Sequence, residues 1–267
     1  MELNAGRPVA NEHDPVAEAA VAAGLGTRRA SYLPVAPGWR RYRRMVIVTA
    51  VGWAALLGSV AGGFVVGEIF AGVFAVMFSG RLLWDLVRLR YFEERNRGSR
   101  LELFQRGFVV AFRGEVRAFR YDTTSVLQNI VRHNGYGTTI GITYAYTCTD
   151  VTGAKVVVRS GFERPEEWGP AIQQAVTDAQ LPSAAFAIDA GQRLDFGDLW
   201  MTSGLVGSGA VSVAWSEIEE IRVRDGLVSL RVAGQWRALT TTPVRYVPNF
   251  FVFLALAQDL RRRNISG

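Results

Sequence analysis

The chain is poor in the side chains that do covalent or metal chemistry. Among its 267 residues there is one cysteine, Cys148, and there are two histidines, His13 and His133. A lone cysteine excludes an internal disulfide framework and a thiolate-rich metal site, and it fits a reducing compartment. A Ser-His-Asp or Cys-His arrangement would have to use His133, in the segment RHNGYGTT, which reads as an exposed loop. Asn134 to Gly137 carries the letters of a potassium filter, but no pore helix precedes it and it lies outside the apolar stretch. Lysine is nearly missing as well. Lys155 is the only one, so arginine carries almost all the positive charge behind the net +6. There is no G-x-x-x-x-G-K-[ST] phosphate loop and no dinucleotide fingerprint. Glu166/Glu167 and Glu219/Glu220 read as a helix start and a turn. No basic face with interleaved aromatics is evident beyond the apolar stretch, as nucleic-acid binding would require. The expectation is a protein that is not an enzyme, with no cofactor, no metal and no nucleic-acid partner.

Charge is also missing from one long stretch, Met45 to Gly80, where Glu68 is the only charged side chain. At about 1.5 Å per residue, one helix over this stretch would far exceed a hydrocarbon core of about 30 Å. Two helices folded back on each other would each come near a minimal span. The turn is expected between Gly62 and Glu68, in GGFVVGE, where glycine permits the backbone and Glu68 reaches water. Arginines crowd both flanks. Arg40, Arg41, Arg43 and Arg44 precede the stretch, and Arg81, Arg88, Arg90, Arg95 and Arg97 follow it. Excess arginine marks the cytoplasmic side of a span, so both ends are expected there. Arg40, Arg41, Arg43, Arg44, Arg88 and Arg90 are the candidate contacts to an anionic lipid surface. Arg81 and Asp85, four residues apart, are placed to pair on one helix face.

The remaining chain divides around this hairpin. Residues 1–38, rich in Ala, Gly and Pro with mixed charge, are expected to be a disordered cytoplasmic tail. Arg28-Arg29 has the letters of a twin-arginine export signal, but prolines and four more arginines intervene before the apolar run. Residues 39–96 form the hairpin, with spans at about 43–63 and 66–86 and a short stalk. From Leu101 the period becomes alternating. Thr138 to Thr149 is the clearest strand, with Ile140, Ile142, Tyr144, Tyr146 and Cys148 on one face. A helix follows from Pro165, with Trp168, Ala171, Ile172, Ala175, Val176 and Ala179 in its apolar stripe and Pro182 as its stop. Strands are then expected at 184–188, 193–196, 199–202, 210–215, 227–232 and 236–240. A last helix is expected with Asn249 as N-cap and Arg261 to Arg263 at its negative end. Phe250 to Ala257 is apolar nearly all round, which suits burial between two domains or a docking surface.

The two halves of this region match. GFVV at Gly107 reads like GLVG at Gly204, and FRYDTTSV, entered at Phe119, reads like VAWSEIEE, entered at Val213. A run of strands closed by one helix, with TSGLVGSGAVSVAWSEIEEI, GLVSLRV and VPNFFVFLALAQDL in the second half, resembles a pleckstrin-homology (PH)-like domain. The whole layout resembles an uncharacterised family of actinobacterial membrane proteins with a transmembrane hairpin and tandem PH-like domains. The resemblance implies an α+β fold, with PH-like barrel or sandwich domains at 97–181 and 182–267, each closed by a C-terminal helix. It places Tyr121 and Trp215 in the cores beneath those helices. Arg106, Arg113, Arg117 and Arg120 are the candidate ligand surface, by analogy with the basic first hairpin of lipid-binding PH domains.

The expected function is a membrane-anchored, non-enzymatic binding or scaffold protein. It would sit in the cell membrane as a multi-pass protein with both termini cytoplasmic. The bilayer is its expected partner, together with a membrane or cytoplasmic protein. The alternative is an accessory subunit of a transporter or envelope-assembly complex, with the hairpin as the partner-binding element.

Overall fold

The structure is a computed structural model and describes residues 14–35, 39–63, 65–135 and 138–265. It divides into two compact units, one of residues 34–99 and one of residues 1–33 with 100–267. His13 and Tyr136-Gly137 lie outside the described residues.

The smaller unit is a helical hairpin, α2 (Trp39–Gly62) and α3 (Val65–Arg95). Two segments, Arg43–Gly62 and Ile69–Phe92, are long and apolar enough to cross a membrane. Only 11% of each is buried, whereas the core helix of a soluble protein would be mostly covered. Gly63 turns the chain with φ 67°, a left-handed backbone that glycine adopts without strain. The turn is therefore shorter than the expected Gly62–Glu68 stretch, and Glu68 lies within α3. Where the helices touch, Gly52 lies against Phe74 and Ala75, and Trp53 Nε1 donates to Ser79 Oγ at 3.0 Å. Arg81 and Asp85 form the expected i,i+4 pair at 3.3 Å.

The larger unit begins before the hairpin, which corrects the expected disordered tail over residues 14–33. Asp14 caps α1 (Pro15–Ala22), accepting from Val16 N at 3.1 Å, with proline in the first turn. Val16, Ala20 and Leu25 are buried against Phe104, Val109 and Ala111. Leu25 packs so tightly on Gly107 that a Cβ there would meet the leucine side chain at 2.6 Å and Phe119 O at 2.1 Å. β1 (Arg28–Tyr32) then pairs antiparallel with β2 (Arg100–Phe104), Tyr32 opposite Leu101. Glu102, buried in β2, is held by Arg28 at 3.2 Å and Arg100 at 3.0 Å, and Arg100 also pairs with Asp14. A buried carboxylate persists only when paired in this way.

β3 (Gly107–Phe112) and β4 (Glu115–Arg120) complete a sheet of order β1-β2-β3-β4. β5 (Ser125–Gly135), β6 (Thr138–Thr149) and β7 (Lys155–Arg159) form a second sheet, and α4 (Pro165–Asp189) follows. The later part has the same order. β8 (Leu194–Phe196), β9 (Leu199–Met201), β10 (Leu205–Ser208) and β11 (Val211–Ala214) form a four-stranded sheet. β12 (Ile218–Arg224), β13 (Leu227–Val232) and β14 (Ala238–Pro243) form a three-stranded one, followed by α5 (Phe250–Ile265). All these pairings are antiparallel, and the fold is mixed α and β. The four sheets stay separate, so the described strands form no closed barrel. Glu219 and Glu220, expected in a turn, lie in β12 beside a register shift.

α4 does not stop at Pro182. It runs through both Pro170 and Pro182, and the expected strand at 184–188 is its last turn and a half. Proline removes one N–H from the helix ladder, a loss that packing at both ends of this helix outweighs. Trp168, Ile172 and Val176 enter the first core with Phe108, Phe119, Tyr121, Tyr146 and Cys148. Ile188 enters the second core with Trp215, Val252, Phe253 and Leu256. The expected boundary at 181/182 thus falls inside one continuous helix. Tyr121 and Trp215 are both buried, as expected, and α5 covers the second core with Phe250, Val252, Phe253, Leu256 and Leu260.

Asn249 does not act as the expected side-chain N-cap. It adopts φ 48°, and its amide reaches the first half instead. Its N–H donates to Val126 O at 3.0 Å, and Oδ1 accepts from Val126 N at 2.8 Å. Nδ2 donates to Gln180 Oε1 at 2.7 Å and Thr124 O at 3.3 Å. One asparagine thereby ties β5, α4 and α5 together.

Candidate functional site

A groove of about 550 Å³ runs between α4 and the first sheet. Its strand side is built from Arg29 on β1, Gln105 and Arg106 in the β2–β3 turn, Arg120 at the end of β4, and Tyr121 and Asp122 just beyond. Its helix side is Ala171, Ala175 and Ala179, one turn apart along α4, with Gln174 and Asp178. The i, i+4, i+8 spacing puts the three methyl groups in one line, and this line is the floor.

The charges along the groove are unevenly satisfied. Arg120 is engaged, with NH2 2.6 Å and Nε 3.0 Å from Asp122 and NH1 3.3 Å from Ala23 O. That bidentate contact holds the Asp122 carboxyl below its ordinary value, with Arg106 adding a smaller push in the same direction. Asp178 accepts from Gln174 at 2.7 Å. Arg29 and Arg106 are exposed, and neither guanidinium makes an ion pair or hydrogen bond among the described residues. Tyr121 is largely buried, and its hydroxyl, on the groove wall, makes no hydrogen bond among the described residues. Burial pushes that hydroxyl well above its ordinary value, and Arg29 offsets a part. It is therefore a neutral donor at physiological pH.

The expected arginine surface separates in the structure. Arg106 and Arg120 line the groove. Arg113 sits at the opposite end of the β3–β4 hairpin, with φ 55° and its guanidinium 4.8 Å from the Phe112 ring. Arg117 pairs with Glu115 at 3.5 Å on β4, three residues from Arg120 and so on the other face of the strand. Arg29 and Tyr121 went unanticipated as site residues. Arg29 stands in the segment expected to be a tail, and Tyr121 is expected in the core. Of the expected lipid contacts, Arg43, Arg44, Arg88 and Arg90 are exposed on α2 and α3. Arg40 and Arg41 lie in α2, with side chains outside the described residues.

Neither Cys148 nor His133 lines the groove. Cys148 is fully buried, and burial alone pushes its thiol up to about 12. His133 is exposed on β5 with Nε2 2.8 Å from Thr143 Oγ1. Among the described residues no three His, Cys, Asp or Glu side chains cluster as metal ligands would. Convergent guanidiniums, a phenol and an apolar floor are suited to holding an anion.

The model of a family of unknown function (DUF6585) matches residues 12–264, nearly the whole chain. The match starts just ahead of α1, so it takes in the helix and strand that precede the hairpin as well as everything after it. No curated protein and no solved structure matches. The chain belongs to the DUF6585 family.

Proposed function

We propose that this protein is a membrane-anchored, non-enzymatic binding or scaffold protein whose hairpin holds two PH-like domains at the cytoplasmic face. One observation carries the reading. The hairpin is inserted between β1 and β2, which pair with each other, Tyr32 opposite Leu101. A membrane entered after Leu33 must then be left on the same side before Arg100, because both ends belong to one sheet. This favours two spans over one. The arginines at both flanks, among them Arg43, Arg44, Arg88 and Arg90, favour the cytoplasm as that side. The repeated order of a four-stranded sheet, a three-stranded sheet and a helix supports the PH-like reading and a duplication. On it, β1 is the first strand of domain one, as β8 is of domain two.

A second reading makes the hairpin the partner-binding element of a transporter or envelope-assembly complex. Gly58 and Gly80 favour it, because nothing lies within 4 Å of a Cβ built on either, and such small-residue positions admit close approach of another helix.

Cysteine accessibility tests the topology. With Cys148 replaced by serine, single cysteines are placed at Gly63, Ser31 and Ser203. In intact cells an impermeant maleimide is expected to label only position 63. Labelling at 31 or 203 without permeabilisation would end the cytoplasmic assignment. Purification in mild detergent separates the two readings, since a partner kept by the hairpin alone favours the second.

A further inference from the structure

We infer that the groove beside α4 is a binding site for a small organic anion, one carrying a phosphate or carboxylate group. The inference stands on the unit that holds the sheets and needs neither the membrane reading nor the PH-like reading.

The second half of the chain shows what this position looks like when it is filled. Gln180 on α4 donates to the backbone oxygens of Tyr121 and Thr124, just ahead of β5. Arg261 on α5 does the same to Ile218 and Glu219, at the start of β12. Counting back from these two residues, Ala171, Ala175 and Ala179 correspond to Val252, Leu256 and Leu260. The latter three are buried, at 2%, 4% and 3% exposure. Ile172 and Phe253, the next residues along, are both fully buried, so the two helices present matching faces. Protein interiors are close-packed, and the second half obeys this with large side chains. The first half replaces all three with alanine and leaves a space within the range of small-molecule sites.

The walls differ in the same sense. By the GFVV/GLVG and Tyr121/Trp215 matches, Arg106 and Arg120 stand where the second half has Ser203 and Ala214. Trp215 Nε1 donates to Thr202 O at 3.0 Å, whereas the Tyr121 hydroxyl, on the groove wall, makes no hydrogen bond among the described residues. It is a donor open to a ligand oxygen in the groove. Asp122 is held by Arg120 and Asp178 by Gln174, which leaves Arg29 and Arg106 for the incoming charge. Guanidinium forks match phosphate and carboxylate oxygens, and the alanine floor takes the apolar body of the molecule.

The test uses the full chain in phosphatidylcholine nanodiscs. Inorganic phosphate, glycerol 3-phosphate and citrate are titrated calorimetrically. In parallel, hydrogen exchange over residues 120–122 and 171–179 is compared in discs with and without phosphatidic acid. A saturable heat with any of the three identifies a soluble anion, and slowed exchange only with phosphatidic acid identifies a lipid headgroup; either supports the site. The Arg29→Ala/Arg106→Ala variant, altered only at exposed side chains, is expected to bind at least about tenfold more weakly. Ala175→Leu, which copies Leu256, is expected to abolish binding; should it not fold, the arginine variant decides alone. No saturable heat together with unchanged exchange overturns the inference. So does binding that survives the arginine variant undiminished, because the anion then sits elsewhere.

Discussion

The two halves of the larger unit share an order of elements but divide the labour differently. The second half is closed: Val252, Leu256 and Leu260 fill the space beneath α5, and Arg261 and Asn264 reach backbone oxygens of the neighbouring strands and turn. The first half is open along the matching helix face and lined with arginine. Its first strand comes from residues that precede the hairpin in sequence. Its β5–β6 arm, 11 and 12 residues long, outruns the 7 and 6 of β12 and β13. The same order of elements is therefore compatible with a packed helix face in one half and an open one in the other. The joint between them is α4, buried in one core at Ile172 and in the other at Ile188.

The contrast can be broken most sharply from the filled side. Leu256→Ala should open the matching space in the second half and cost about 2–5 kcal/mol of stability, measured by urea unfolding. A loss below about 1 kcal/mol would mean that Leu256 does not fill what Ala175 leaves empty. The joint comes next. Asn249→Ala removes the amide that pairs with Val126, Thr124 and Gln180, and should cost about 1–3 kcal/mol, since the Val126 N–H loses its acceptor. Hydrogen exchange should then rise in β5 and at the start of α5 together. A rise in α5 alone would show that Asn249 supports only its own helix.

The smallest expected effect is on pH response. Asp14, Asp122 and Asp150 all have carboxyl pKa values lowered from 3.8, and all lie in the first half. Arg120 lowers Asp122, hydrogen bonds to Thr152 lower Asp150, and at Asp14 the upward push of burial is outweighed by the Val16 amide and Arg100 together. A carboxyl with a depressed folded-state pKa adds stability that is present above its unfolded value and lost as pH falls through the folded one. Acidification from about pH 5 to about pH 3 should therefore weaken protection in β4 and α1 before it weakens β10 and β13. Equal weakening of both halves, read by hydrogen exchange, would contradict this.

How far the sequence can be read depends on the distance between cause and effect. The alternation from Thr138 to Thr149 and the helical stripe from Trp168 to Val176 are local, and β6 and α4 formed where these patterns stand. Pro182 does not end α4 as expected, because Leu181, Ala184, Ala185 and Ile188 are held by a core made of residues far along the chain. The segment RRASY has no alternating pattern of its own, and it became a strand because β2, with Glu102 ready for Arg28, offered an edge. Half of the candidate site was legible, since Arg106 and Arg120 were already in the arginine set, but Arg29 joined them only through that pairing.

By itself the sequence determined the apolar hairpin and the alternation of the longest strands. These follow from neighbours along the chain, whose combined length or period needs no partner to be expressed. Only the tertiary structure decided that β1 belongs beside β2, that α4 serves two cores, and that three alanines facing three arginines leave a groove. Each of these is a property of two surfaces brought together, and the volume left between surfaces is carried by neither one alone.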